Sequence, residues 1–210
     1  MTTKKPPSRN KEDNYLTCIH EAGHLVVAYL LRNCKHSSVT VKKDGDYDGA
    51  VFHFGLPIED PKALRRFLGS LKKEVSKKDY LRHEAGSRKW SEQIVMSHMA
   101  GDAAWCVQQR FSQVRLDIFP VVATVSNVPD WHDLIQSEEI LSVYEPAEGR
   151  RSEWFKSLWR RTVELVRTWM PAIRRVAKIL QKSRTLDRIE LEEVYAMLDK
   201  METKRKEKEA

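Results

Sequence analysis

Hydrophobic positions recur at helical spacing along most of this chain. From residue 15 to residue 31 the apolar side chains fall mostly three or four positions apart, which predicts one helix of about five turns. Residues 39–41 and 50–54 are instead typical of short strands, and the Asp-Gly turns between them favour a hairpin. The pattern predicts a predominantly helical α+β fold, with a small β-sheet beside the first helix and a C-terminal helical bundle. The further predicted helices cover 60–75, 90–110, 130–141, 152–181 and 186–201.

The remaining segments show no clear period. Residues 77–89 are highly charged and predict a connector, and residues 111–129 are ambiguous. The chain ends, 1–12 and 201–210, are charged and contain no apolar run, so both predict disordered tails. Because no repeat and no proline- or glycine-rich linker divides the rest, we expect a single domain over 13–200.

Composition and charge narrow the class of protein. The 210 residues are 41% hydrophobic and 32% charged, which is enough apolar sequence to bury a core and excludes an intrinsically disordered chain. The formal net charge of +7 favours anionic partners. The basic residues occur as pairs within helical segments, however, which is typical of solvated helix faces. Since no nucleic-acid-binding motif accompanies them, we expect nucleic acid not to be the partner.

Cysteine use and apolar run length bear on the compartment. Cys18, Cys34 and Cys106 are odd in number and form no Cys-x-x-Cys pair, so we expect small buried hydrophobic side chains rather than disulfides or a thiolate zinc site. The longest purely apolar run, residues 25–31, is far shorter than the about 20 residues that a membrane-spanning helix needs. No apolar signal sequence follows Met1. These features predict a soluble cytoplasmic protein with no membrane partner.

The first predicted helix contains the motif His-Glu-Ala-Gly-His over residues 20–24. Side chains at positions i and i+4 share one face of a helix, so His20 and His24 can point at one metal ion. Neutral imidazole is a preferred zinc ligand, and a catalytic zinc site uses three protein ligands and a water molecule. Glu21 can reach that water and take its proton as a general base. A partial second copy over residues 83–86 lacks the last histidine, and we expect it to be a coincidence.

The residues alone do not identify the third protein ligand. Asp133 falls in the first turn of the helix predicted over 130–141, where the helix dipole also favours a carboxylate without any metal. His132, Asp130 and Glu138 are the nearest alternatives. His98, in the helix predicted over 90–110, is a further candidate, although a packed core histidine is the simpler interpretation. Gly23 costs about 1 kcal/mol relative to alanine inside a helix, which predicts close approach of a neighbouring element.

Six segments in this order carry a resemblance to a known family: HEAGHLVVAYLL, SVTVKK, GAVFHFGLP, MSHMAGDAAW, WHDLIQSEEIL and RTLDRIELEEVYAML. Together they resemble the peptidase domain of the FtsH family. The resemblance implies a zinc-dependent metalloendopeptidase with Zn²⁺ bound by His20, His24 and Asp133, and with Glu21 as the general base. It also implies a sheet-edge strand that binds the substrate, which we place at Gly49, Ala50, Val51 and Phe52.

The chain departs from the family in three respects. The family's Gly-Arg-Ala-Ala-Glu pattern becomes Gly-Asp-Ala-Ala-Trp over 101–105, so Trp105 replaces a glutamate and the support of the zinc ligands is in question. Residues 72–89 and 111–128 resemble insertions that could form a lid or a substrate entrance. No Gly-x-x-x-x-Gly-Lys-Ser/Thr phosphate loop occurs in the sequence.

We therefore expect hydrolysis of flexible or unfolded polypeptides by a metal-activated water, independently of ATP, with a separate ATPase as a possible partner. The alternative is a catalytically degenerate, peptidase-like metal-binding protein that binds a peptide or protein partner without cutting it.

Overall fold

The computed structural model describes residues 11–32, 36–41, 50–53, 61–126 and 132–209. These residues form a predominantly helical α+β fold, as predicted. None of their helices is both long and apolar enough to cross a membrane. The helices are α1 (Lys11–Leu31), α2 (Pro61–Glu74), α3 (Lys77–Gln108), α4 (Gln113–Ser126), α5 (His132–Ser142), α6 (Glu148–Ser183) and α7 (Arg188–Glu209), and the strands are β1 (His36–Thr40), β2 (Ala50–His53) and β3 (Thr185–Leu186).

The core lies where α1, α3 and α6 pack against one another. Trp159 of α6 is 1% exposed, and its indole N–H donates a 2.7 Å hydrogen bond to the Leu116 carbonyl of α4. Cys18 and Cys106 are fully buried, as expected, whereas Cys34 lies outside the described residues. A Cβ atom added to Gly23 would lie 2.5 Å from the Ala100 carbonyl oxygen of α3. The prediction that Gly23 permits close approach of a neighbouring element is therefore confirmed.

The three strands form a small antiparallel sheet in the order β2-β1-β3. The predicted β1–β2 pairing is confirmed, with Val39 opposite Val51. Residue 186, predicted to begin the last helix, belongs instead to β3 and pairs with Val39. Arg184 makes this turn possible, because it caps α6 in the left-handed region at φ 67° and its carbonyl accepts a 2.9 Å hydrogen bond from the Val41 N–H.

The charged segment 77–89 is helical, so the prediction of a connector is wrong. The Ser76 hydroxyl caps the start of α3 by accepting a 3.2 Å hydrogen bond from the Asp79 N–H. From there the helix is continuous to Gln108. Most side chains of its first three turns are exposed. A helical segment with no buried face shows no hydrophobic period, which is why the sequence pattern missed it.

Part of each predicted tail is helical in the structure. Residues 11 and 12 belong to α1, and 201–209 continue α7, which contradicts the prediction of disorder there. The extension of α7 is stabilised by a 2.7 Å ion pair between Lys206 and Glu202, four residues apart. The Arg205 guanidinium also lies 5.8 Å from the centre of the Trp169 ring. The ambiguous segment 111–129 contains α4, and residues 127–131 lie outside the described part of the chain.

Candidate metal centre

Two histidines of α1 and one aspartate of α5 lie close together in the structure. His20 and His24 lie one helical turn apart, and their Nε2 atoms are 2.9 Å from each other. Oδ2 of Asp133, in the first turn of α5, lies 3.4 Å from Nε2 of His20 and 3.1 Å from Nε2 of His24. One ligand atom from each residue lies within 4.8 Å of the others, so the group can hold a metal ion.

The spacing of these atoms fits a small ion. Ligand atoms at 2.0–2.1 Å from a tetrahedral ion are about 3.3 Å apart, and the three observed separations lie close to that value. A Cβ atom added to Gly101 of α3 would lie 2.7 Å from Nε2 of His20, inside van der Waals contact. The absence of a side chain at Gly101 therefore leaves room for both imidazole rings in this arrangement.

The orientations of the two rings favour metal binding through Nε2. Nδ1–H of His24 donates a 2.7 Å hydrogen bond to the Ser97 carbonyl of α3, so Nε2 is the ring nitrogen left for a metal ion. Nδ1 of His20 faces Oδ1 of Asp102 at 3.6 Å. Each ring therefore presents Nδ1 to an oxygen atom on α3 and Nε2 to Asp133.

The charges around the rings favour a cation. Burial by itself lowers the pKa of His20, but the carboxylates of Asp133, Asp102 and Glu21 outweigh burial and raise that pKa to about 10. The pKa of His24 is raised too, because Asp133 more than offsets burial. Burial raises the pKa of Asp133, yet both histidines hold it well below its usual value. The carboxylates thus stabilise positive charge where the two imidazoles meet.

Glu21 lies beside this group on α1. Its side chain is buried, with 6% of the residue exposed. Burial raises the pKa of the Glu21 carboxyl above its usual value, against the opposing influence of His20 and His24. A carboxylate whose pKa is raised in this way is a better proton acceptor than one in free solution.

Asp102 is the nearby acidic residue that the sequence patterns did not assign. It is 3% exposed, and burial raises the pKa of its carboxyl to about 7, although His20 acts in the opposite direction. A charged residue between Gly101 and Ala103, in a helix of small buried residues, was the signal that could have found it. Trp105, three residues after Asp102, packs against Phe111 at a ring-centre distance of 5.4 Å.

The alternative ligands are separated from the group or lie outside the described side chains. Glu138 forms a 3.7 Å ion pair with Arg151. His98 is half-buried on α3 and does not belong to the group formed by His20, His24 and Asp133. Asp130 lies outside the described residues, as does the side chain of His132. Ala50, Val51 and Phe52 lie in β2, and Gly49 is outside the described part of the chain.

Two comparisons with known proteins found no counterpart for this chain. No protein-family model matches it, and no curated protein does so either. The resemblance to the FtsH peptidase domain stays a prediction.

Proposed function

We propose that this protein is a zinc-dependent metalloendopeptidase of the FtsH peptidase type, acting on flexible or unfolded polypeptides. One observation carries the proposal: His20, His24 and Asp133 converge with ligand atoms 2.9–3.4 Å apart, next to the buried carboxylate of Glu21. The His-Glu-x-x-His spacing and the resemblance support the same function.

This donor set, in a His-Glu-x-x-His spacing, is typical of zinc. Two imidazole nitrogens and one carboxylate oxygen are typical of catalytic zinc sites, which keep a further position open. Magnesium and calcium prefer sites made of oxygen ligands.

Glu21 and the three metal ligands have different roles in the proposed reaction. Zinc at this site would make a water molecule more acidic and polarise the carbonyl of the scissile bond. Glu21 accepts the proton of the attacking water on its carboxylate and then delivers it to the nitrogen of the leaving amine. The metal ligands would be His20, His24 and Asp133. These three residues would hold the zinc ion and keep their protonation states through the catalytic cycle. Glu21 is therefore the proton carrier.

The substrate would bind as an added strand along β2. This strand lies at one edge of the described sheet, paired with β1 on one side. Backbone hydrogen bonds at a sheet edge hold many sequences in one extended register, which suits an enzyme that cleaves unfolded chains. We therefore assign substrate binding to Ala50, Val51 and Phe52 of β2.

Proline scanning tests this assignment. The N–H groups of consecutive strand residues point to opposite sides, so only one of the variants Val51→Pro and Phe52→Pro removes an outward donor. We expect that variant to raise KM at least several-fold with zinc bound, while the other weakens the pairing with β1. Steady-state kinetics and metal analysis on folded variants measure both effects. A wild-type KM in both variants would show that the substrate does not bind along β2.

Zinc-dependent cleavage of an unfolded protein tests the function itself. The zinc-loaded chain should cleave reduced, carboxymethylated lactalbumin, lose that activity in a chelator and regain it with one equivalent of Zn²⁺. ATP should not change the rate, and a stably folded substrate should resist. A zinc-loaded wild type that cleaves no unfolded substrate would refute the peptidase and favour the degenerate, partner-binding alternative.

A further inference from the structure

A buried carboxylate faces the side of His20 that does not contact Asp133. The side chain of Asp102, on α3, is 4% exposed, and its Oδ1 lies 3.6 Å from Nδ1 of His20. This distance exceeds a hydrogen bond, so the contact is electrostatic. The other oxygen, Oδ2, is buried and has no hydrogen-bond partner among the described residues.

An incompletely paired carboxylate is costly to bury. Its neighbours along α3 are the buried residues Ala100, Gly101, Ala103 and Ala104, none of which offers a polar side chain. A buried ionisable group that lacks partners destabilises a fold unless something compensates for it. Packing in α3 therefore gives no reason for an acidic residue at this position, whereas the adjacent imidazole does.

The two histidines are supported differently. Nδ1–H of His24 donates to the backbone carbonyl of Ser97 at 2.7 Å, so its ring orientation is set by the main chain. For His20 the oxygen facing Nδ1 in the structure is that of the Asp102 side chain. In metal sites an oxygen at this position keeps the proton on the non-ligating nitrogen and makes the other nitrogen a better donor.

We propose that Asp102 is a positioning residue, which keeps the proton of His20 on Nδ1 and so directs Nε2 toward an ion shared with His24 and Asp133. The inference rests on the metal site of the proposed function, but not on peptide hydrolysis. It also supplies, from position 102, support for a zinc ligand that the loss of the family's glutamate at Trp105 placed in question.

The test measures zinc affinity of Asp102→Asn by competition with a chromophoric chelator. The substitution keeps the side-chain volume and removes the charge. Loss of an outer partner of a zinc ligand typically weakens metal binding 10–100-fold, and we expect a change in that range. Asp117→Asn, which removes an exposed carboxylate from α4, is the matched control and should bind zinc like wild type.

A second pair of measurements separates positioning from a structural role. The metal-free Asp102→Asn variant should keep the helical far-UV circular dichroism of wild type, because asparagine preserves the side-chain volume. In ¹⁵N-histidine NMR spectra of the zinc-loaded proteins, the Nδ1–H resonance of His20 should shift on substitution while that of His24 stays in place.

The outcomes are distinguishable. Wild type that binds no zinc refutes the proposed function, and with it this inference. Wild type that binds zinc, together with Asp102→Asn of unchanged affinity, refutes the inference alone. If the variant does not fold, the wild-type spectrum decides, because a zinc-loaded His20 without a proton on Nδ1 overturns the assignment.

Discussion

Glu21→Gln should bind zinc as tightly as wild type and hydrolyse peptide bonds at least about 100-fold more slowly. Glutamine preserves the size of the side chain but cannot accept a proton from water. The metal ligands are unchanged, because Glu21 is not a member of the group formed by His20, His24 and Asp133. Zinc content by elemental analysis and kcat/KM on an unfolded substrate measure the two effects separately.

Glu84→Gln is the matched control for this experiment. Glu84 belongs to the partial second copy of the motif, in α3, where it accepts a 3.2 Å hydrogen bond from the Tyr80 hydroxyl. The control variant should cleave like wild type. Wild-type rates in Glu21→Gln would show that Glu21 is not the general base, even if the zinc site is correct.

Asp133→Ala should lose zinc almost completely at stoichiometric metal concentrations. A site with three protein ligands that loses one keeps only His20 and His24, and the loss of affinity should exceed the about 100-fold that outer-shell partners contribute. The carboxylate that holds two imidazoles together also disappears, since Oδ2 of Asp133 lies within 3.4 Å of both Nε2 atoms. Equilibrium dialysis against zinc measures the change.

Glu138→Ala is the control on the same helix. Glu138 pairs with Arg151 rather than with the histidines, so its loss should leave zinc binding unchanged. Full zinc content in Asp133→Ala would exclude Asp133 as a ligand and turn attention to His132.

The spacing of residues in the sequence was sufficient to predict the parts of the site that lie on one element. Helical geometry alone places residues 20 and 24 on one face, and the structure brings His20 and His24 together as that spacing predicts. The cost of a glycine inside a helix predicted a close neighbour of Gly23, which proves to be α3. The β1–β2 hairpin was predictable for the same reason, because turn residues and alternation are features of adjacent sequence.

The hydrophobic pattern of the sequence did not predict the solvent-exposed helical segments. Residues 77–89 and 201–209 have little or no buried face, so hydrophobic period gives no sign of their structure, and charge suggests a loop or a tail. Their helices depend instead on a cap at Ser76 and on ion pairs such as Lys206–Glu202. These contacts are local, but they are not read from the spacing of apolar residues.

Local sequence patterns are enough to predict the helical character of the chain, the paired histidines of α1 and the glutamate between them. Which distant residues join them depends on how the helices pack. A carboxylate in the first turn of a helix is favoured by the dipole alone, so only the packing of α5 shows that Asp133 faces both rings. Asp102 faces His20 because Gly23 and Gly101 let α1 and α3 approach closely, a contact between segments far apart in the chain that no local pattern encodes.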